Sequence, residues 1–229
     1  MKGKNLIKMF FGFFSCLAEK RKEMNNLFDW EVDQLRKNGF PEKILFHLES
    51  QRKRVVKKAC NYCYPVYLDS IPFLPVFSLK VLEEVFKSPL LSINQKEGSE
   101  LNLFDSINME KIYNKIGLDK DFYFLFGGGN GLDEDSIAGI SPEKAEKVFE
   151  CLDITPMNVN ETLSFLLLFS SLYNGGGERI SILGSRYRKE DFVPELFRCR
   201  NGFRLSDDLI NNDDKKKVYP TCSKRISFS

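Results

Sequence analysis

Apolar residues first recur at helical spacing over residues 27–38, where Leu27 or Phe28, Val32 and Leu35 share a face. Asn38-Gly39 supplies residues that tolerate positive φ and closes this helix. Pro41 suits the first position of a second helix, whose apolar positions are Ile44, Leu45, Leu48, Val55 and Val56. That helix ends in the basic run Gln51–Lys58, which complements the negative end of a helix dipole. Tyr62–Leu68 reads as a strand, with Pro65 placing it at an edge or a strand start. Ile71–Val76 carries two prolines and reads as an extended connection. Leu79–Lys87 is a short amphipathic helix with Leu79, Leu82, Val85 and Phe86 inward, and Met109–Ile116 is another short helix. Between them, Leu90–Ile93 suggests a brief strand and Gln95–Ser99 a polar turn.

Phe122–Phe126 is the clearest buried strand, and it runs into the glycines of Gly127–Gly131. Ser141-Pro142-Glu143 is a helix start, with a capping hydroxyl, a proline at the first position and an acid at the positive dipole end. That helix runs to about Leu152 and is broken at Thr155-Pro156. Asn158 and Glu161 form a capping box for a helix over Val159–Tyr173, which is apolar nearly all round and belongs in the core. Ile180–Leu183, Phe192–Cys199 and Phe203–Leu205 form a β-meander, with Asn201-Gly202 as a two-residue hairpin signal. From Asp207 the chain turns polar, so 206–229 reads as a loosely ordered tail. The pattern predicts an α+β fold, helices packed on one antiparallel or mixed sheet, in a single domain over 27–205.

Residues 1–26 form an N-terminal extension. Lys2, Lys4 and Lys8 precede the apolar run Met9–Ala18, which has features of a short signal peptide. Gly12, Ser15 and Cys16 interrupt that run, and Phe10, Phe13, Phe14 and Leu17 fit one helical face, which favours an amphipathic helix or an upstream extension of the domain. No stretch reaches the length of a membrane span. The whole chain of 229 residues has a net charge of +2, which is no signature of a nucleic-acid binder. The distribution is uneven, because residues 1–58 hold 14 Lys/Arg against 7 Asp/Glu. This front end could touch an anionic surface weakly, although a solvated helix face explains the same pattern. The 21 phenylalanines supply an aromatic core. Most of the six cysteines, at irregular spacing, read as reduced thiols in the cytoplasm.

Motifs with chemical meaning are few. Cys60 and Cys63 have the spacing of a metal half-site, but no second such pair exists and coincidence is the better reading. Gly127–Gly131 lacks the Lys-Ser/Thr of a phosphate loop and precedes Asp133, Glu134 and Asp135, so it reads as a flexible turn. His47 is the sole histidine and sits on a basic helix, which excludes a serine triad. Neither a metal nor a cofactor is expected. The best binding candidate is Gly184, Ser185, Arg186 and Arg188 on the turn after Ile180–Leu183, where a guanidinium could grip a carboxylate or phosphate. The loop at Gly127–Asn130 would complete it.

Several of these residues carry a resemblance. The order Ile140-Ser141-Pro142-Glu143-Lys144-Ala145, Thr155-Pro156, Ile182–Arg186 and Val193-Pro194-x-Leu196 is similar to a bacterial family known as domain of unknown function 5701. Phe28-Asp29 through Pro41 also resembles its opening, so the likeness spans about 28–205. Met157-Asn158 and Phe197 depart from the family pattern, and its Trp/Cys-rich close is replaced by the charged tail. The resemblance implies a fold and a soluble bacterial setting, and no reaction. The expected function is a non-catalytic small-molecule-binding or protein-interaction domain. The rival is an enzyme acting on a phosphorylated or acidic small molecule with Arg186 as anion clamp.

Overall fold

The computed structural model describes residues 17–62, 71–86, 112–118, 120–128, 140–169, 179–187, 191–199, 202–209, 217–222 and 224–228. Helix α1 (Leu17–Lys37) begins ten residues earlier than the pattern predicts, so part of the expected N-terminal extension is helical. Met24, within that part, is buried in the core. Gly39 ends the helix at φ 78°, and Phe40 N–H donates to Leu35 O at 3.1 Å. This turns the chain into α2 (Glu42–Ser50) and α3 (Arg52–Tyr62). The predicted single helix is thus divided at Gln51, whose N–H reaches Leu48 O at 3.0 Å.

Strand β1 (Ile71–Phe77) stands where an extended connection was expected. It pairs antiparallel with β3 (Phe122–Gly128), in register Phe73↔Phe126 and Pro75↔Phe124. Among the described strands β1 is at the edge of its ladder, where Pro72 and Pro75 forgo no second partner. Helix α4 (Leu79–Phe86) follows as predicted. Strand β2 (Ile112–Asn114) replaces part of the expected helix over Met109–Ile116, because it pairs with β6 (Ser185–Tyr187). That long-range ladder overrides a local preference. The expected elements at Tyr62–Leu68, Leu90–Ile93 and Gln95–Ser99 lie outside the described residues, except for Tyr62 at the end of α3.

Helix α5 (Pro142–Leu152) has Ser141 as its N-cap, and Asp153 in the left-handed region (φ 54°) closes it. The two-residue strand β4 (Thr155–Pro156) leads to α6 (Val159–Phe169). All of α6 except Asn160 is buried, as its unbroken apolarity predicts. Strands β5 (Arg179–Ser181), β7 (Phe192–Cys199) and β8 (Gly202–Leu209) form the meander. Its hairpin closes at Cys199↔Gly202, so Gly202 belongs to β8 and not to the expected turn.

The C-terminal segment corrects the expectation of a loose tail. Strand β9 (Lys217–Val218) runs parallel to β5, β10 (Thr221–Cys222) pairs with β4, and β11 (Lys224–Ile226) pairs with β3. Val218, Tyr219, Thr221, Cys222 and Ile226 restore strand-forming character after the polar run. The fold is α+β, with its strands divided among four ladders: β1-β3-β11, β10-β4, β2-β6 and β8-β7-β5-β9. The main core joins α1–α4 and α6 to β1 and β3, through contacts such as Phe28–Phe73 and Phe40–Phe77. A second, smaller core joins Ala145 and Phe149 of α5 to Leu183, Val193 and Tyr219.

Candidate functional site

The predicted site residues Gly184, Ser185 and Arg186 lie together, at the junction between the β5–β6 turn and the start of α6. Gly184 N–H donates to Met157 O at 3.0 Å, and Gly184 O accepts from Lys115 N–H at 2.9 Å. A Cβ at Gly184 would stand 2.5 Å from Met157 O and 2.8 Å from Asn158 N. Glycine is therefore required for close approach of two backbones, rather than for approach of a ligand. Ser185 Oγ accepts from Val159 N–H at 2.9 Å and donates to Asn114 Oδ1 at 2.6 Å. It thereby satisfies one of the unpaired amides at the first turn of α6.

Arg186 corrects the expectation of an exposed clamp. It belongs to β6, not to a solvated tip, and only 2% of it is accessible. Its guanidinium donates to Leu183 O at 3.0 Å, to Ser185 O at 2.8 Å and to the Glu146 carboxylate of α5. The side chain fastens α5 to β6 beside the smaller core. Arg188 lies outside the described residues, as does 129–139, which includes most of the glycine loop. The described end of that loop, Gly127, has φ 61°.

A polar cluster that the site prediction lacked is built around Glu161, which is wholly inaccessible. The predicted capping box is present in full: Asn158 N–H donates to Glu161 Oε2 at 2.8 Å, and Glu161 N–H donates to Asn158 Oδ1 at 3.0 Å. Arg225 of β11 grips the same carboxylate with Nε–H to Oε1 at 2.5 Å and Nη2 to Oε2 at 2.8 Å. It also donates to Pro156 O at 2.8 Å. Tyr123 Oη–H donates to Glu161 Oε1 at 2.6 Å. The Asn158 amide donates to Ile116 O at 2.9 Å and to Tyr123 Oη at 3.3 Å. Gly117, at φ 136°, leaves room for that amide, since a Cβ there would stand 2.4 Å from Asn158 Nδ2.

Both carboxylate oxygens thus have two donors, and the charge is matched by one guanidinium. Burial, and then the Glu161 charge, hold the Tyr123 hydroxyl far above its ordinary range. Burial likewise pushes the neighbouring Cys222 thiol up to about 12, with Glu161 adding to the shift. Burial would lower Arg225, but its bonds to Glu161 and the Glu161 charge more than offset this and keep it protonated. The cluster therefore contains a spent carboxylate, a protonated phenol and a protonated thiol. It has the character of a structural lock between α6, β3 and β11.

Other candidates are dispersed. Cys60 is half-buried, and burial raises its thiol against the pull of Lys20 and Arg21. Its sequence partner Cys63 lies outside the described residues. Among the described residues no group of three or more His, Cys, Asp or Glu is disposed to hold a metal ion. His47 is exposed on α2 and stands edge-on to Phe122, ring centroids 4.8 Å apart. Glu195 is buried, accepting from Arg179 at 2.8 Å and from Ser181 at 3.4 Å.

The surface of α1 and α3 is different. At about 100° per residue, Lys53, Lys57, Asn61, Arg54 and Lys58 fall in that order across roughly 140° of α3. Lys53, Arg54, Lys57 and Asn61 are exposed, while Val55, Val56 and Ala59 on the opposite side are buried. Helices α1 and α3 pack against each other, and Asp29 of α1 pairs with Arg52 of α3. Arg21 and Lys22 are exposed at the start of α1, alongside the acids Glu19 and Glu23. The remaining exposed acids of α1 and α2 are drawn to two other arginines. Asp29 pairs with Arg52, while Asp33, Glu42 and Glu49 surround Arg36. No protein-family model, curated protein or solved structure matches this chain.

Proposed function

We propose that this protein is a non-catalytic interaction protein that engages an anionic partner through the basic face of α1 and α3. The observation that carries this reading is the solvent arc of α3, on which every charged position is basic and Lys53 and Lys57 are exposed. Lysine and arginine clustered on one face attract polyanions over about a Debye length. The interior supports the non-catalytic part. Glu161, Arg186 and Glu195 each pair with other groups of the protein, and the nearby phenol and thiol are held protonated. A cytoplasmic setting belongs to the same proposal, supported by the free thiols of Cys60, Cys151 and Cys222. Among the described residues no helix is long and apolar enough to cross a membrane.

Kinship with the family resembled at Leu183–Arg186 and Val193-Pro194 is also part of the proposal. Its support is that Ala145, Leu183 and Val193 share one small core, which Arg186 fastens through Glu146. The test of function is retention on immobilised heparin. Lys53→Glu with Lys57→Glu should lower the eluting salt concentration without changing the melting temperature. Unchanged elution would overturn the reading.

A further inference from the structure

Resting on the basic-face reading above, we infer that the anionic partner is a single-stranded nucleic acid, held by its phosphates and one stacked base and without sequence preference. The observation that selects it is Phe46 of α2, which is 75% accessible. Gln51, between α2 and α3, keeps right-handed helical angles at φ −89° and ψ −7°. The helical phase therefore carries from α2 into α3. Burial follows that phase: Leu45 and Leu48 of α2 share an inner side with Val55 and Ala59 of α3. On the outer side, at about 100° per residue, Lys43, Lys57, Phe46 and Lys53 fall in that order within roughly 80°. All four are exposed. The ring thus stands in the line of the lysines, about 5 Å along the axis from Lys43 and about 10 Å from Lys53. The acids beside this stripe, Glu42 and Glu49, pair with Arg36 of α1 at 3.4 and 3.5 Å.

A single strand unites the two chemistries of the stripe, because a regular row of anions and a set of flat π faces leave the same backbone. The lysines neutralise phosphates, and the exposed ring offers one base a surface to stack on. Stacking uses no base-edge hydrogen bonds, so it tolerates any sequence. A duplex keeps its bases paired inside and presents phosphates alone. An acidic peptide matches the lysines and has no general use for the ring. One phenyl ring buries too little apolar surface to hold a protein in a bilayer, whereas one ring suffices for one base. The stripe is about 21 Å long from Lys43 to Lys57, a short contact in which the single stacked ring carries a large share of the affinity.

The test is binding of the full-length protein to labelled oligo(dT), with a mixed-sequence duplex, polyglutamate and phosphatidylserine vesicles as competitors, beside heparin retention of the same samples. Oligo(dT) should bind more tightly than any of the three. Phe46→Ala should weaken oligo(dT) binding at least about fivefold, the loss of one stacked base, and leave heparin retention and the melting temperature unchanged. Phe46→Trp should retain the affinity, and oligo(dT) should quench its fluorescence more than that of the parent, whose sole tryptophan is Trp30. Lys53→Gln with Lys57→Gln should weaken both oligo(dT) and heparin binding. Oligo(dT) affinity that ignores Phe46→Ala would overturn the inference. Heparin retention without oligo(dT) binding, or a preference for duplex, polyglutamate or vesicles, would overturn it and leave the basic-face reading standing. Absence of both heparin and oligo(dT) binding would overturn both.

Discussion

Replacing Arg225 with alanine should destabilise the protein severely, although sequence alone puts that residue in a polar tail. Among the described residues, Arg225 supplies two of the four side-chain hydrogen bonds that Glu161 accepts, and it places a positive charge beside the carboxylate. Without it, a carboxylate with no solvent access keeps only the Tyr123 hydroxyl and the Asn158 amide. Removing one partner of a buried ion pair costs about 3–5 kcal/mol. For a chain of this size each kcal/mol moves the midpoint by about 2–4 °C, so the melting temperature should fall by roughly 6–20 °C. Replacing both Arg225 with methionine and Glu161 with glutamine should recover part of the loss, since no orphaned charge remains. Urea unfolding followed by circular dichroism measures both. A loss below about 1 kcal/mol for Arg225→Ala, the range of an exposed pair, would show that β11 does not lock α6 in place.

Three further outcomes follow from the interior. Arg186→Ala should cost about 2–3 kcal/mol in the same assay, because it removes the guanidinium from two buried carbonyls and leaves Glu146 to the half-exposed Lys115; an unchanged midpoint would make Arg186 dispensable to the fold. Glu31 is 1% accessible, its Oε1 has no hydrogen-bond partner, and burial holds its carboxyl well above the ordinary range. Its folded pKa exceeds its unfolded value, so its contribution is fully present below the unfolded pKa and is lost as pH rises towards the folded one. Glu31→Gln should therefore be more stable than the parent at neutral pH, with the gap closing towards about pH 4; a gap that widens in acid would contradict this. Cys222 should resist alkylation at pH 8 in the native protein and react once unfolded, as mapped by peptide mass spectrometry.

Local rules read the helices well, because their signals are contiguous. Ser141-Pro142 starts α5, Gly39 stops α1, and the Asn158–Glu161 box opens α6 with the reciprocal bonds that its spacing implies. The meander was legible for the same reason, to within a residue at its hairpin. What local rules missed depends on partners distant in sequence. β2 is a strand only because Ser185–Tyr187 pairs with it, and β11 is ordered by β3 and Glu161. The strand-forming residues Val218, Tyr219, Thr221 and Cys222 were the available signal for the C-terminal strands, masked by the charged run before them. Gly184, Ser185 and Arg186 lie together, but glycine beside arginine reads the same for a ligand loop and for a tight internal junction. Burial distinguishes the two, and burial at Arg186 is set by α5, some forty residues upstream.

The salt dependence of binding to a labelled heparin chain tests the basic-face claim most directly, compared between the parent and the Lys53→Gln, Lys57→Gln variant. Each neutralised contact should remove about one unit from the slope of log affinity against log salt concentration. A variant slope shallower by about two units is the predicted result. Identical slopes for the two proteins would contradict the account.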